Sequence, residues 1–170
     1  VLLFTSGTEG DPKGVVLSHF NIVANVHQIL AHVPEALTVD DVLFNPLPTF
    51  HCFGLTAGAL LPLLSGMKSV LHPSPLQTKV IPKRVEDTGA TILFATDTFL
   101  NQYIRACQGN ELGKLRFAVC GAERVRDETR QLVRKRFDVE LLEGYGATEA
   151  APVIAVNQPG RNRHGTVGRP

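Results

Sequence analysis

Short apolar runs alternate with longer amphipathic ones along the whole chain. Val1 to Thr5 predicts a strand entering a glycine-rich loop. Ser18 stands in front of a helix expected from His19 to His32, with Ile22, Val23, Val26, Ile29 and Leu30 along one side. Val42 to Leu47 reads as a strand. Leu55 to Leu64 reads as a largely buried helix ended near Gly66. Ser69 to Leu71 is expected as a short strand, Val80 to Thr88 as a helix stopped by Gly89, Thr91 to Ala95 as a strand, and Thr98 to Cys107 as a helix. The last third repeats the alternation. Leu115 to Cys120 predicts a strand. Arg126 to Phe137 predicts a helix whose inner face carries Val125, Thr129, Leu132, Val133 and Phe137. Val139 to Glu143 predicts a strand leading into Gly144-Tyr145-Gly146.

Strands alternating with helices predict an α/β fold, a layered and mostly parallel sheet flanked by helices. No internal repeat or linker divides the chain. Ligands of such sheets sit beyond the carboxyl ends of the strands. Three loops expected there have unusual chemistry: Thr5 to Gly14, Gly121 to Glu123, and Gly144 to Glu149.

Composition narrows the class. Of 170 residues, 44% are apolar and 19% charged, as in ordinary globular domains. The net charge of +1, from 17 basic and 16 acidic side chains, gives no bulk attraction for nucleic acid. Cys52, Cys107 and Cys120 lack metal-ligand spacing and read as reduced, buried thiols of a cytosolic protein. The longest apolar stretch, Cys52 to Leu64, is broken by Gly54, Thr56, Gly58 and Pro62 and is too short to span a bilayer. Val1 opens inside an apolar run and Gly168-Arg169-Pro170 closes without a polar tail, so both ends are expected to be cuts from a longer protein.

The segment Thr5-Ser6-Gly7-Thr8-Glu9-Gly10-Asp11-Pro12-Lys13-Gly14 holds three hydroxyls, three glycines and one lysine. Glycines let backbone N–H groups close on an anion, hydroxyls donate to phosphate oxygens, and Lys13 adds a point charge. A Walker loop would need Gly-Lys followed by Ser or Thr. Here Pro12 precedes Lys13 and Gly14 follows it. In Gly144-Tyr145-Gly146-Ala147-Thr148-Glu149, the two glycines resemble the opening of a dinucleotide fingerprint, but Glu149 stands where a third small residue belongs. A carboxylate facing a phosphate repels it unless a divalent cation lies between them, which makes Glu149 a candidate Mg²⁺ ligand. Tyr145, flanked by glycines, has an open ring face suited to a purine.

Both blocks resemble the signatures of the adenylate-forming superfamily, which includes acyl-CoA synthetases, luciferases and the adenylation domains of peptide synthetases. The resemblance covers nearly the whole chain. It implies that Thr5, Ser6, Gly7, Thr8 and Lys13 wrap the ATP β- and γ-phosphates, with Glu9 departing from the commoner hydroxyl residue. It also implies that Tyr145, between Gly144 and Gly146, stacks on adenine. Thr148 would bond the α-phosphate, and Glu149 would bind Mg²⁺ with Thr5 in the metal shell. Gly121, Ala122 and Glu123 would contact the base mainly through backbone. Catalytic roles fall to Lys13, Thr148 and Glu149. Residues 1–170 would be the central part of the AMP-binding domain. A ribose-binding aspartate, a hinge and a mobile C-terminal domain with a catalytic lysine would lie beyond Pro170.

Pro46-Leu47-Pro48-Thr49-Phe50-His51-Cys52-Phe53-Gly54-Leu55 resembles the block lining the family's acyl pocket, with Phe50 and His51 at the entrance. His51 is open to either a structural role or one orienting the carboxylate. Glu9, Pro73 to Leu76, Leu142 to Gly144, Ala151 to Val153, Asn157 and Gly165 to Arg169 resemble one subgroup in particular. It is the acyl–acyl-carrier-protein synthetase part of bifunctional 2-acylglycerophosphoethanolamine acyltransferases. That resemblance implies a fatty acid substrate, acyl carrier protein or coenzyme A as partner, and a site in the cytoplasm or at the inner membrane's cytoplasmic face. Any membrane association would come through other parts of the protein. None of the six histidines has an Asp five residues on, so the acyltransferase His-x₄-Asp motif is not in this segment. Gly-x-Ser-x-Gly is also missing, and Ser65-Gly66-Met67-Lys68 matches Ser-x-x-Lys only by spacing. A serine acyl-enzyme, a Walker NTPase and a non-catalytic nucleotide-binding module are the rival readings.

Overall fold

The computed structural model describes residues 1–5 and 11–170. Ser6, Gly7, Thr8, Glu9 and Gly10 lie outside the described residues. Two sheets form. Strands β1 (Leu2–Thr5) and β2 (Lys13–Val16) pair antiparallel as a separate hairpin, with Thr5 opposite Lys13. The main sheet holds β3 (Val42–Asn45), β4 (Lys68–Leu71), β5 (Ile92–Ala95), β6 (Phe117–Cys120), β7 (Glu140–Gly146) and β8 (Val153–Val156). Its order is β4-β3-β5-β6-β7-β8, parallel except at the β7–β8 edge.

Helix α1 (His19–His32) begins where the pattern places it. Ser18 accepts the Asn21 N–H, and the Asn21 side chain returns to the Ser18 N–H, so two otherwise orphaned donors are satisfied. Helices α2 (Leu61–Ser65) and α3 (Ile81–Thr88) stop at Gly66 and Gly89, both left-handed, as expected of a glycine C-cap. Helix α4 (Asp97–Ala106) starts one residue earlier than expected because Thr96 is its cap. Helix α5 is Asp127–Phe137.

Alternation along the central strands sends side chains to two cores. Phe44, Leu93, Ala95, Ala118 and Leu141 pack with α3, α4 and α5 on one face. Leu43, Ile92, Phe94, Phe117 and Leu142 pack with Leu47, Phe53 and Ala57 on the other. The mixed α/β class and the mostly parallel sheet are therefore as expected.

Four local expectations change. The strand before the glycine-rich segment is not part of the main sheet, so that segment does not follow one of its carboxyl ends. Thr5 ends β1, and Lys13 and Gly14 are residues of β2 because Val15 and Leu17 continue the apolar alternation into a small core with Leu3. The expected helix at Leu55–Leu64 is a π-helix over Phe53–Leu60 that passes into α2. The wider turn fits against β3: Asn45 donates to the Gly54 carbonyl, and a Cβ on Gly58 would lie 2.1 Å from the Asn45 amide nitrogen. Gly144-Tyr145-Gly146 is no loop. It continues β7 past its parallel pairing with β6 and pairs antiparallel with β8, with a bulge between Tyr145 and Gly146. On α5, Leu132 is half-buried against the core as expected, while Arg130, which the inner-face positions leave out, is buried and paired as well.

Asp41 anchors the start of β3. Its carboxylate accepts the Thr38 N–H, the Thr91 hydroxyl and the Arg116 guanidinium. Burial pushes its pKa up, but these hydrogen bonds and the Arg116 charge hold it below the ordinary carboxylate value. A folded-state pKa that is depressed contributes stability above the unfolded value of about 3.9 and loses it as pH falls through the folded value. Wild type should therefore be more stable than Asp41→Asn at neutral pH, with the gap closing below about pH 4. Denaturant titrations between acid and neutral pH test this. A gap independent of pH would remove the Asp41 carboxylate from the explanation.

Candidate functional site

Three segments meet at the carboxyl ends of the parallel strands. The Pro46–Phe53 block follows β3, the Gly121–Glu123 turn follows β6, and Tyr145 follows the parallel half of β7. They enclose a largely apolar cavity lined by His51, Cys52, Phe53, Gly121, Ala122, Gly144, Tyr145, Gly146, Pro152 and Val156. A second, more polar cavity shares part of this lining. Ala122, Gly144, Tyr145 and Gly146 line both, and Glu123, Arg124, Asp127 and the His164–Gly168 loop complete the second. Tyr145, 55% exposed, thus stands between two cavities of different character.

Close packing sets this wall. A Cβ on Gly146 would lie 2.5 Å from the Pro152 carbonyl oxygen, so only glycine lets β7 and β8 approach there. Ala147 N–H donates to the same carbonyl at 2.9 Å. The turn that follows, Thr148–Ala150, is one turn of 3₁₀ helix carrying Thr148 half-buried and Glu149 exposed.

The hairpin joins the site from the side. Strand β2, which carries Lys13, packs against the Thr148–Ala150 turn. Leu3, Leu17, Ile22, Cys52 and Ala151 form one apolar cluster, which ties the hairpin, α1, the Pro46–Phe53 block and this turn together. Thr5, Lys13, Thr148 and Glu149 therefore lie on elements that meet, while Ser6, Gly7 and Thr8 are outside the described residues. Phe50 is 83% exposed and does not line either cavity, whereas His51 reaches the apolar one.

The Gly121–Glu123 turn is held rigidly. Ala122 has a positive φ of 69°. The Glu123 carboxylate caps α4, accepting the Thr98 N–H at 2.7 Å and its hydroxyl at 2.9 Å. Burial raises its pKa, but the Thr96 and Thr98 hydrogen bonds hold it below the ordinary value. With its side chain so committed, Glu123 has its backbone left to offer a ligand. Behind the turn, Glu143 accepts the Val125 N–H and pairs with Arg130 at 3.1 Å, both carboxylate and guanidinium being buried.

Two contributors to the site escaped the sequence reading. His164 has no role assigned in the sequence, and Gly165 to Gly168 enter only as part of the Gly165–Arg169 subgroup resemblance, yet all five line the polar cavity. Cys52 was read as a plain core thiol. It is buried and free, but its sulfur lies 3.4 Å from the Thr148 hydroxyl and 4.0 Å from His51 Nδ1. Its place beside the signature histidine was the available signal.

The donor set suits magnesium. Among the described residues, no group of three His, Cys, Asp or Glu side chains could hold a metal by itself. A lone exposed carboxylate with nearby hydroxyls fits a cation that keeps water and phosphate oxygens as most of its ligands.

All 170 residues match the family model described as AMP-binding enzyme. The chain is 30% identical over 178 aligned positions to a probable 4-coumarate–CoA ligase of Dictyostelium discoideum, covering 99% of this chain and 31% of that protein. It is 32% identical over 176 positions to a long-chain-fatty-acid–CoA ligase of Bacillus subtilis, covering 100% of this chain and 31% of the relative. A benzoate CoA ligase from Burkholderia xenovorans superposes with a TM-score of 0.87 at 23% identity, over 99% of this chain and 34% of that one, a likeness of fold. The chain thus spans about a third of the length of the relatives it matches. Enzymes of this kind use ATP and Mg²⁺. With its signature motifs, its sheet and its match along all 170 residues, the chain belongs to the AMP-binding enzyme family.

Proposed function

We propose that this chain is the nucleotide-handling core of a larger enzyme that activates a fatty acid as its acyl-adenylate. The observation that carries the reading is the position of Tyr145 between an apolar cavity reached by His51 and a polar cavity backed by the adenine turn, with the Lys13 strand against the Thr148 turn. In this reading the acid lies in the apolar cavity and the base against the tyrosine ring. The acid's carboxylate oxygen attacks the α-phosphorus, and the bond to the β-phosphate oxygen breaks to release pyrophosphate. The protein positions reactants and offsets charge. Lys13 holds the departing pyrophosphate, Thr148 donates to an α-phosphate oxygen, and His51 orients the carboxylate. Glu149, with Thr5 nearby, would hold Mg²⁺, which supplies charge neutralisation at the phosphates.

The acyl group would then pass to a thiol. The subgroup resemblance supports acyl carrier protein as the acceptor, in the reacylation of lysophospholipids. A second reading, transfer to coenzyme A, is favoured by the Bacillus relative's name. The ribose aspartate, the hinge and the mobile domain with its catalytic lysine would be supplied by the rest of the enzyme. The setting would be the cytoplasm or the inner membrane's cytoplasmic face, where ATP is available.

Incubating the full-length protein with ATP, Mg²⁺ and a fatty acid should give acid-dependent AMP and pyrophosphate, whereas residues 1–170 alone should bind ATP weakly and form little adenylate. ADP as the product, or AMP release that ignores the acid, would overturn the reading.

A further inference from the structure

Thr148 can serve an α-phosphate oxygen only by donating its single hydroxyl proton, since phosphate oxygens accept. A free hydroxyl rotates among three staggered wells, and one of them suits a given acceptor. The turn around Thr148 fixes its backbone: Ala151 N–H donates to the Thr148 carbonyl, and Ala147 N–H to that of Pro152. Neither bond orients the hydroxyl. Among the described residues, the hydroxyl's hydrogen-bond partner is the Cys52 sulfur, at 3.4 Å.

Cys52 has one proton to give and two neighbours to receive it. His51 Nδ1 is the worse acceptor. It lies 4.0 Å away and already receives the Phe53 N–H at 3.2 Å. The Thr148 oxygen is closer and has two lone pairs. Cys52 is itself immobile, only 4% exposed and wedged among Leu3, Leu17, Ile22 and Ala151 at the head of the π-helix.

We propose that Cys52 is a positioning residue for adenylation: its S–H donates to Thr148 Oγ1 and so turns the single hydroxyl proton toward the phosphate. The inference rests on the proposed function, in which Thr148 serves the α-phosphate. It also links the block reached by the acid to the turn reached by the nucleotide, because Cys52 adjoins His51.

Cys52→Val and Cys52→Ser separate this role from plain packing. Valine fills the apolar cluster without a donor, and serine keeps the donor while placing a polar group among apolar neighbours. A packing role ranks valine above serine in both stability and activity. The positioning role ranks serine above valine in kcat for adenylate formation, with valine lowering kcat about three- to tenfold, from a hydroxyl freed among three wells and the loss of a weak hydrogen bond. Because Cys52 also lines the apolar cavity, the KM for the fatty acid is read beside kcat: the positioning role lowers kcat more than it raises KM, whereas a lining role alone raises KM with kcat kept. The assay is acid-dependent AMP release by the full-length protein, with thermal unfolding followed in parallel; Cys52→Ala substitutes for valine if the latter does not fold. Valine equal to wild type, or serine as slow as valine, would overturn the inference. Wild type that releases no AMP would instead overturn the proposed function.

Discussion

Glu149→Gln in the full-length protein is expected to lower adenylate formation on the order of 100- to 1000-fold while leaving thermal stability unchanged. The size follows from removing one preorganised charge at a site where phosphate charge must be offset during the reaction. The unchanged stability follows from the position. Glu149 is exposed, in a 3₁₀ turn whose backbone bonds do not involve its side chain. Glutamine keeps the size and one oxygen but not the charge, so a ligand role predicts that higher Mg²⁺ partly restores turnover. The measurement is AMP release across a magnesium titration, with an unfolding curve for each protein. Turnover near wild type at all Mg²⁺ concentrations would remove Glu149 from the metal site. A large drop in melting temperature would make it a structural residue instead.

The second large effect concerns stability. Glu143→Ala should destabilise the fold by about 3–5 kcal/mol, because it leaves the Arg130 guanidinium buried without its counter-charge. At about 2–4 °C per kcal/mol for a domain of this size, the midpoint should fall by roughly 6–20 °C. The pair is inaccessible on both sides, with side-chain exposures of 7% and 9%. Arg130 also donates to the Leu141 carbonyl at 3.0 Å, and Glu143 accepts the Val125 N–H at 3.2 Å. The alanine would therefore strand a charge and a backbone donor together. Replacing both partners by apolar residues, Glu143→Leu with Arg130→Met, should recover much of the loss, since no charge then remains buried. Calorimetric melting of the three proteins decides it; a single variant no less stable than the double would sink the account. Because Val125 and Glu143 flank the Gly121–Glu123 turn and Tyr145, the proposed function predicts that the single variant also loosens nucleotide binding.

Legibility differed by element for physical reasons. Helix α1 was readable because Ser18 and Asn21 form a local cap and the apolar residues recur at helical spacing. The ends at Gly66 and Gly89 were readable because a left-handed residue there favours glycine. The π-helix was not, since its extra residue per turn is imposed by Asn45 and β3 packing against Gly54 and Gly58. The burial of Arg130 was not readable because a charge on a helix normally faces water, and only a partner from β7 makes its burial tolerable. The glycines of Gly144-Tyr145-Gly146 suggested a loop. The strand exists because β8, ten residues on, supplies the ladder.

The sequence by itself determined the alternation that makes an α/β layer and the glycine, hydroxyl, lysine and carboxylate chemistry of its signature loops, because periodicity and local motifs are properties of neighbouring residues. Only the tertiary structure decided that Lys13 and Thr5 face each other across a hairpin, that this hairpin meets the Thr148 turn, and that Tyr145 divides two cavities. It also decided that Cys52 touches Thr148, 96 residues away. Those pairings depend on apolar surfaces distant in the chain burying one another, and no local pattern specifies which surfaces will meet.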